Sequence, residues 1–208
     1  MRFLSTLAFL AFVIGADARE LVRPHLLETS DLKGFEQLGE KRRELVTKAL
    51  EIRKQHGWLK YQFGSADPAQ GGFDCSGAMF HLLTELGYTP PRTSSQQFDW
   101  IRENSELFKI PKSVRKVTHS SFKNLKPGDL LFWSGTYRPT DGRTNKITHV
   151  GMYLGREKSD GHPVMICSSK GRSYRRKGQN GYGVFSFKLP REKSKSRFVG
   201  YGSVPGID

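Results

Sequence analysis

Apolar residues in the first half of the chain recur every three or four positions, the spacing of one face of an α-helix. Residues 35–56 carry such a face and are followed by Gly57, and residues 75–86 carry another and are followed by Gly87. Glycine directly after the last periodic residue is a common helix end. A third helix is predicted over residues 94–107. The first half of the chain is therefore predicted to be helical.

The second half changes to short apolar segments, which are typical of strands. In residues 148–154 the side chains alternate, so that Val150 is expected on the apolar face and His149 on the opposite, polar face. The predicted strands are residues 130–133, 148–154, 164–167, 183–189 and 197–201. Their turn-sized spacing favours an antiparallel sheet, and helices that precede strands favour the α+β class. We expect N-terminal helices packed on a central antiparallel β-sheet.

The first 18 residues have the pattern of an export signal. Arg2 precedes an apolar run over residues 3–15, and Ala16 and Ala18 give the small-x-small pattern of a cleavage site. The run is short for a membrane span. We expect cleavage after Ala18, no stable membrane anchor afterwards, and a secreted or periplasmic protein of the cell envelope. The alternative is an uncleaved anchor or a buried helix.

Length and composition fit one folded domain. Residues 19–34 have no clear period and are predicted to be a lead-in segment, and residues 35–208 a single domain. Hydrophobic residues make up 36 % of the 208, which is enough for a core and argues against a disordered chain. The two cysteines do not support a disulfide framework or a multi-cysteine zinc site, and we expect no metal or cofactor.

The charge of the chain is strongly positive. It has 34 lysines and arginines against 20 aspartates and glutamates, a formal net charge of +14. A surface this basic suits polyanionic surroundings. Residues 171–177 and 191–197 are the most basic stretches, and in an exported protein they could bind anionic cell-wall polymers; the alternative is a solvated surface. Nucleic acid is a poor partner, because the chain has an export signal and no recognisable nucleic-acid motif.

Cys75 is the first candidate for chemistry. It stands where a glycine-rich loop meets the predicted helix, between Asp74 and Ser76. Unpaired backbone N–H groups and the helix dipole at such a position favour the thiolate, which is the nucleophilic form. The alternative is a small buried hydrophobic residue.

A nucleophilic cysteine needs a base, and histidine is the usual one. Of six histidines, His149 differs from the rest because it lies on the polar face of a well-formed predicted strand. A rigid strand can hold an imidazole against a helix N-terminus better than a loop can. A purely structural role for this histidine is the alternative.

Five sequence pieces occur in the order found in one family. They are YQFG at residues 61–64, FDCSG at 73–77, PRTS at 91–94 with Gln97, LKPGDLLF at 125–132 and HVGMYLG at 149–155. Each piece is weak alone, but together the chain resembles the NlpC-type cell-wall endopeptidases, which are papain-like cysteine peptidases acting on peptidoglycan. The resemblance implies a papain-like α+β fold. It also implies a hydrolase that cuts stem peptides between γ-D-glutamate and a diamino acid.

The resemblance also implies roles for particular residues. Cys75 would attack the amide carbonyl, and His149 would be the general base. Tyr61, Asp74 and Ser76 would hold the substrate end that carries the free amine of L-alanine. Asp74 could also be a helix N-cap, and Tyr61 could either donate its hydroxyl toward the oxyanion or be a packed aromatic residue. Arg92 could contact a substrate carboxylate or be a solvated loop charge.

The chain departs from the family at the third catalytic position. A polar residue usually orients the imidazole there, but this sequence has Cys167, whose hydrogen bonds are weak. Cys167 could serve in that role, or be a core residue while Ser168 or another group orients the histidine, or form a disulfide with Cys75. His162 is a less favoured substitute because it lies in a turn.

Two further features leave alternatives open. The polar loop at residues 135–147 could border the cleft or be a solvated insertion. The altered third position also allows a different class of function, a catalytically silent wall-binding protein. A papain-like amidase or acyltransferase on another substrate is the third possibility.

Overall fold

Six antiparallel strands form the central sheet of the computed structural model, which describes residues 22–208. The helices are α1 (Glu40–His56), α2 (Cys75–Glu85) and α3 (Ser94–Asn104). The strands are β1 (Lys60–Tyr61), β2 (Gly72–Phe73), β3 (Leu107–Lys109), β4 (Leu130–Ser134), β5 (Ile147–Arg156), β6 (Pro163–Tyr174), β7 (Lys177–Ser186) and β8 (Arg197–Gly202). The sheet order is β3-β8-β4-β5-β6-β7. The predicted α+β class is confirmed.

The helices begin and end close to the predicted positions, with two differences. Phe35 belongs to a short 3-10 turn, and α1 begins only at Glu40. The helix α3 ends at Asn104 because Ser105 has an extended backbone. Leu107, predicted as the end of that helix, instead pairs with Gly202 as the first residue of the edge strand β3.

The strands β6 and β7 form a longer hairpin than the apolar pattern predicted. Strand β6 continues from the predicted residues 164–167 to Tyr174, and β7 begins at Lys177 and ends at Ser186 rather than at Leu189. The connecting residues Arg175 and Arg176 both have positive φ, as a two-residue hairpin turn of type I′ requires. The basic stretch 171–177 therefore forms the tip of a hairpin.

Apolar side chains form two clusters. The first joins α1, α2 and α3 to the sheet through residues such as Leu45, Met79 and Val150. The second is rich in aromatic rings and includes Trp133 and Tyr153. Strand β5 is buried along almost its whole length, so the expected polar face of His149 and its neighbours is covered rather than solvated.

The segment that precedes the helices lies along the outer strand of the sheet. Val22 and His25 form β-bridges with β7, and Leu32 forms one with Glu157. Leu27 and Leu32 are buried in the first cluster. The described part of the lead-in segment is therefore packed on the domain, while the predicted export signal lies outside the described residues.

A close backbone contact fixes the start of α2. A Cβ atom on Gly77 would lie 2.0 Å from the carbonyl oxygen of Ser65. Only glycine allows this approach. The loop before α2 is thereby held against its first turn, where Cys75 lies.

Candidate active site

Cys75 is the first residue of α2 and is 6 % exposed. The backbone of Ser76, at the helix N-terminus, and that of Val150, on β5, hydrogen-bond the thiol and lower its pKa. Burial has the larger effect and raises the pKa of Cys75 to about 11. The expectation of a ready thiolate is therefore not met, because desolvation outweighs the helix N-terminus in this closed site.

Asp74 is the N-cap of α2. Its Oδ1 accepts hydrogen bonds from the backbone N–H of Gly77 (2.6 Å) and the hydroxyl of Ser76 (3.1 Å), and its Oδ2 accepts one from the N–H of Gly64 (2.9 Å). Arg92 donates to both oxygens, at 3.1 and 2.8 Å. The capping interpretation of Asp74 is confirmed, and the carboxylate is fully engaged by its neighbours.

The structure gives Arg92 a contact that the sequence did not suggest, while its contact with a substrate carboxylate stays a prediction. Arg92 is not a free loop charge, because it forms the two-point ion pair with Asp74 and a further hydrogen bond of 3.2 Å to the Ser76 hydroxyl. It also reaches no other carboxylate among residues 22–208. Arg92, Asp74 and Ser76 form one hydrogen-bonded group directly beside Cys75.

His149 lies on β5 and is buried. Its ring centroid is 5.4 Å from that of Trp133. Burial and the nearby charge of Arg172 hold the pKa of His149 well below its ordinary value. The imidazole is therefore neutral in this structure.

Arg172 is the residue that the sequence reasoning missed. Its Nε donates a hydrogen bond to Nε2 of His149 at 3.1 Å, and its guanidinium carbon lies 4.2 Å from the ring centroid of Trp133. It follows Gly171, a positive-φ residue in an irregularity of β6 between Lys170 and Ser173. Within the basic stretch 171–177 nothing in the sequence pattern distinguished it, because its position depends on the length of the hairpin.

The cysteine at the expected third position lies in the core. Cys167 is buried in the second apolar cluster. It packs so closely on Gly151 that a Cβ atom added to this glycine would lie 3.0 Å from the Cβ of Cys167. Both Cys167 and Cys75 are free thiols, so the disulfide alternative is not observed. The group that contacts the imidazole is Arg172 instead.

The two other substitutes considered for that position bond elsewhere. The Ser168 hydroxyl donates to the carbonyl of Phe73 at 2.7 Å, so the suggestion that it orients His149 is wrong. His162 Nε2 is 2.8 Å from the Ser186 hydroxyl. Neither residue reaches the candidate base.

Two cavities lie next to the Cys75–His149 region. A cavity of about 280 Å³ is lined by Cys75, Tyr61 and the Asp74–Arg92 pair, and by Tyr137, Asp141 and Arg143 of the loop 135–147. That loop therefore borders the site and is not simply solvated. Burial and the closeness of Cys75 raise the pKa of Tyr61, so its hydroxyl keeps its proton. We name this space the aspartate cavity.

A second cavity, of about 630 Å³, lies on the His149 side and is lined by His149 and Arg172. Its other charged lining residues are Lys170, Lys188, Arg191 and Lys195. We name it the basic cavity.

Residues 22–208 contain no cluster of three side chains suited to hold a metal ion. No helix in the same range is long and apolar enough to cross a bilayer.

A buried cysteine at a helix N-terminus, in contact with the backbone of Val150 directly after the strand histidine His149, on helices packed against an antiparallel sheet, fits the class of papain-like cysteine hydrolases. The NlpC/P60 family model matches residues 57–182, and the chain belongs to the NlpC/P60 family. The resemblance inferred from the sequence is thus confirmed.

Two curated proteins of Bacillus subtilis (strain 168) are similar to the chain. One is a bifunctional muramidase/DL-endopeptidase, CwlT, 35 % identical over 95 residues, or 46 % of this chain and 22 % of that protein. The other is a gamma-DL-glutamyl hydrolase, 32 % identical over 98 residues, or 47 % of this chain and 18 % of that protein. The chain thus matches only about a fifth of the length of these relatives.

Among solved structures, an NLP/P60-family protein of Staphylococcus aureus, described as similar to a lipoprotein, matches with a TM-score of 0.50 and 21 % identity. The match covers 86 % of this chain and 45 % of that one. At this identity the match supports the shared fold.

Proposed function

We propose that the chain is an exported cysteine endopeptidase that hydrolyses peptidoglycan stem peptides at the amide bond between γ-D-glutamate and a diamino acid. The observation that carries the proposal is the hydrogen bond to Cys75, at the N-terminus of α2, from the backbone of Val150, which follows His149 on β5. A charged cavity is lined by each of the two candidate residues. The names of the two Bacillus relatives, a DL-endopeptidase and a gamma-DL-glutamyl hydrolase, support this bond type.

The reaction proceeds in two half-steps. His149 takes the thiol proton of Cys75, and the sulfur attacks the γ-carbonyl carbon of D-glutamate. The C–N bond then breaks, His149 passes its proton to the leaving amine, and a thioester remains on Cys75. Water, deprotonated by His149, attacks the thioester, and the thiol is regained with release of L-Ala-D-Glu.

The aspartate cavity suits the part of the substrate that stays on the enzyme. It contains two aspartates, each paired with an arginine, Asp74 with Arg92 and Asp141 with Arg143. The L-Ala-γ-D-Glu end carries one ammonium group and one free carboxylate, so it needs both signs of charge. The ammonium replaces Arg92 at Asp74, and the released guanidinium binds the substrate carboxylate. Ser76 and Tyr61 complete this surface.

Location and polymer binding are further parts of the proposal. The export signal predicted over the first 18 residues would place the protein in the cell envelope or outside the cell. There, exposed basic residues such as Lys193 and Lys195 of the stretch 191–197 would attract anionic cell-wall polymers in a salt-dependent manner.

Product analysis tests the reaction. Protein comprising residues 19–208 is incubated under reducing conditions with L-Ala-γ-D-Glu-diamino acid tripeptides and with whole peptidoglycan, beside Cys75→Ala. Lys177→Gln, an exposed change at the hairpin tip, is the matched control. Release of L-Ala-D-Glu by the wild type and the control, but not by Cys75→Ala, is the expected result. No product from any protein, with Cys75 unreactive to alkylation even at high pH, would favour the silent wall-binding alternative.

A further inference from the structure

Arg172 donates a hydrogen bond to Nε2 of His149, the ring nitrogen whose lone pair a general base would use. A neutral imidazole has one ring nitrogen with an N–H and one with a free lone pair. An arginine can only donate, so the 3.1 Å bond from Arg172 Nε uses the lone pair of His149 Nε2, and the proton lies on Nδ1. Whichever nitrogen faces Cys75, the ring cannot accept the thiol proton while Arg172 stays in place.

The usual third residue of such a site acts in the opposite sense. An orienting acceptor holds the N–H of the imidazole and stabilises the imidazolium that forms. Arg172 brings a positive charge against the ring and opposes the imidazolium. In the structure of residues 22–208, His149 is therefore unable to act as a base. Another group must bind Arg172 and remove it from His149 before the reaction.

Arg172 is available to an anion. None of the ion pairs found within residues 22–208 includes it. It lines the basic cavity together with four other cationic side chains, and no acidic side chain of the described residues lines that cavity. A bidentate oxyanion is the natural partner of a guanidinium in this setting.

The basic cavity also lies on the side of the leaving group. The aspartate cavity is lined by Cys75 but not by His149, and the basic cavity by His149 but not by Cys75. Because the histidine protonates the departing amine, the leaving group lies on the histidine side. In the proposed substrate that amine belongs to an amino acid, so a carboxylate two bonds from the leaving nitrogen enters the basic cavity.

We propose that the basic cavity binds the carboxylate of the leaving diamino acid, and that this carboxylate takes Arg172 from His149 and frees the imidazole to act as the base. Arg172 is a positioning residue that couples substrate binding to the protonation state of His149. The inference rests on the proposed function, because it names the leaving group of that reaction. The enzyme would then be specific for stem peptides in which the diamino acid is the last residue and carries a free carboxylate.

The histidine tautomer is the direct test, and it needs no turnover. ¹⁵N NMR of the histidine rings in Cys75→Ala protein reports which nitrogen of His149 carries the proton. We expect Nδ1–H in the free protein and a change to Nε2–H or to the imidazolium when L-Ala-γ-D-Glu-L-Lys is added. The same tripeptide with a C-terminal carboxamide is expected to bind without this change. An Nε2–H ring in the free protein, or equal spectra with both peptides bound, would overturn the proposal.

Kinetics give the second test. We expect the wild type to cleave the tripeptide acid with a kcat/KM at least tenfold above that of the carboxamide. In Arg172→Gln the ratio should fall below threefold, with a higher kcat on the carboxamide and a higher KM for the acid. Lys177→Gln, which lies outside the cavity lining, should keep the wild-type ratio.

The outcomes separate this inference from the proposed function. Cleavage of both peptides at similar rates by the wild type retains the endopeptidase and refutes the carboxylate site. Absence of cleavage together with the carboxylate-dependent tautomer change retains the site and refutes the peptidase. If an anionic phosphate polymer, and not the tripeptide acid, causes the tautomer change, the cavity is a polymer site and the inference is wrong.

Discussion

Arg92 and Asp74 form a two-point ion pair immediately before the helix that carries Cys75. The two N–O distances are 2.8 and 3.1 Å, and the Asp74 side chain is only 10 % exposed. The same carboxylate caps α2 through Gly77. One ion pair therefore links the PRTS piece of the sequence to the start of α2, and the two motifs are parts of one structure.

Breaking this pair should destabilise the protein by more than a surface ion pair does. Arg92→Gln leaves a largely buried carboxylate with three weaker partners, and we expect a loss of about 1–3 kcal/mol in the free energy of unfolding. Urea denaturation measures the loss. Lys54→Gln, which breaks an exposed pair with Glu28, is the control and should cost less than about 1 kcal/mol. Equal effects of the two substitutions would contradict the assigned structural role.

Alkylation of Cys75 should be slow at neutral pH. Because burial raises the pKa of Cys75 to about 11, the thiol is protonated below that pH, and the rate with iodoacetamide should rise steadily from pH 7 toward pH 11. Cys167, with a pKa raised to about 12 and no exposed surface, is the internal control and should react more slowly throughout. Mass spectrometry of digested protein gives both rates. A Cys75 rate that is already constant at pH 7 would indicate a thiolate and contradict this structure.

The sequence predicted the parts of the fold that depend on local pattern. The periodicity of residues 75–86 placed α2 within one residue of its observed end, and the alternation in residues 148–154 placed most of β5. The two-residue strands β1 and β2 are too short to produce a pattern, and they were not predicted. The sheet order was also beyond local pattern, since it depends on pairings between distant segments.

The residues of the candidate site that lie in sequence motifs were predictable, and those outside the motifs were not. Cys75, His149 and the capping role of Asp74 follow from residue types at their positions. Arg172 does not, because it reaches His149 only through a hairpin whose length no apolar pattern signals. The protonated state of Cys75 was missed because burial, which opposes the helix N-terminus, depends on tertiary packing.

The spacing of apolar residues in α1 did not predict a second buried ion pair, Arg42–Asp129. Arginine is usually exposed, yet Arg42 is 2 % exposed and donates to Asp129 at 2.9 Å. Arg42→Met leaves Asp129 buried without its cation, and we expect a loss of about 3–5 kcal/mol. The double variant Arg42→Met/Asp129→Leu should regain most of this loss, as measured by urea denaturation. A double variant no more stable than Arg42→Met would argue against an uncompensated charge as the cause.

His149 should make the protein less stable in acid. Its pKa in the folded state lies well below the unfolded value of about 6.5, so the unfolded chain binds a proton that the folded protein does not. Stability is complete above pH 6.5 and falls as the pH drops toward the folded pKa. His149→Gln should flatten this fall, measured as the free energy of unfolding between pH 7.5 and pH 5 in steps of about half a unit. His119→Gln, a change at an exposed ring, is the control and should show the same dependence of the unfolding free energy on pH as the wild type. A steeper fall in His149→Gln would mean that the folded protein stabilises the imidazolium.

The close contact at Gly77 gives a test of how the site is held in place. A methyl group at this position would lie 2.0 Å from the backbone oxygen of Ser65. The same oxygen accepts a hydrogen bond from the N–H of Asp74, the residue before Cys75, so we expect a shift of the loop or of the helix start to displace Cys75. We expect Gly77→Ala to cost about 1–3 kcal/mol of stability and to lower kcat on the tripeptide more than it raises KM. Gly39→Ala is the matched control, because no atom lies within 4 Å of the added methyl group, and it should change kcat by less than about twofold. Full activity in Gly77→Ala would show that the loop moves independently of Cys75, and that the contact does not position this residue.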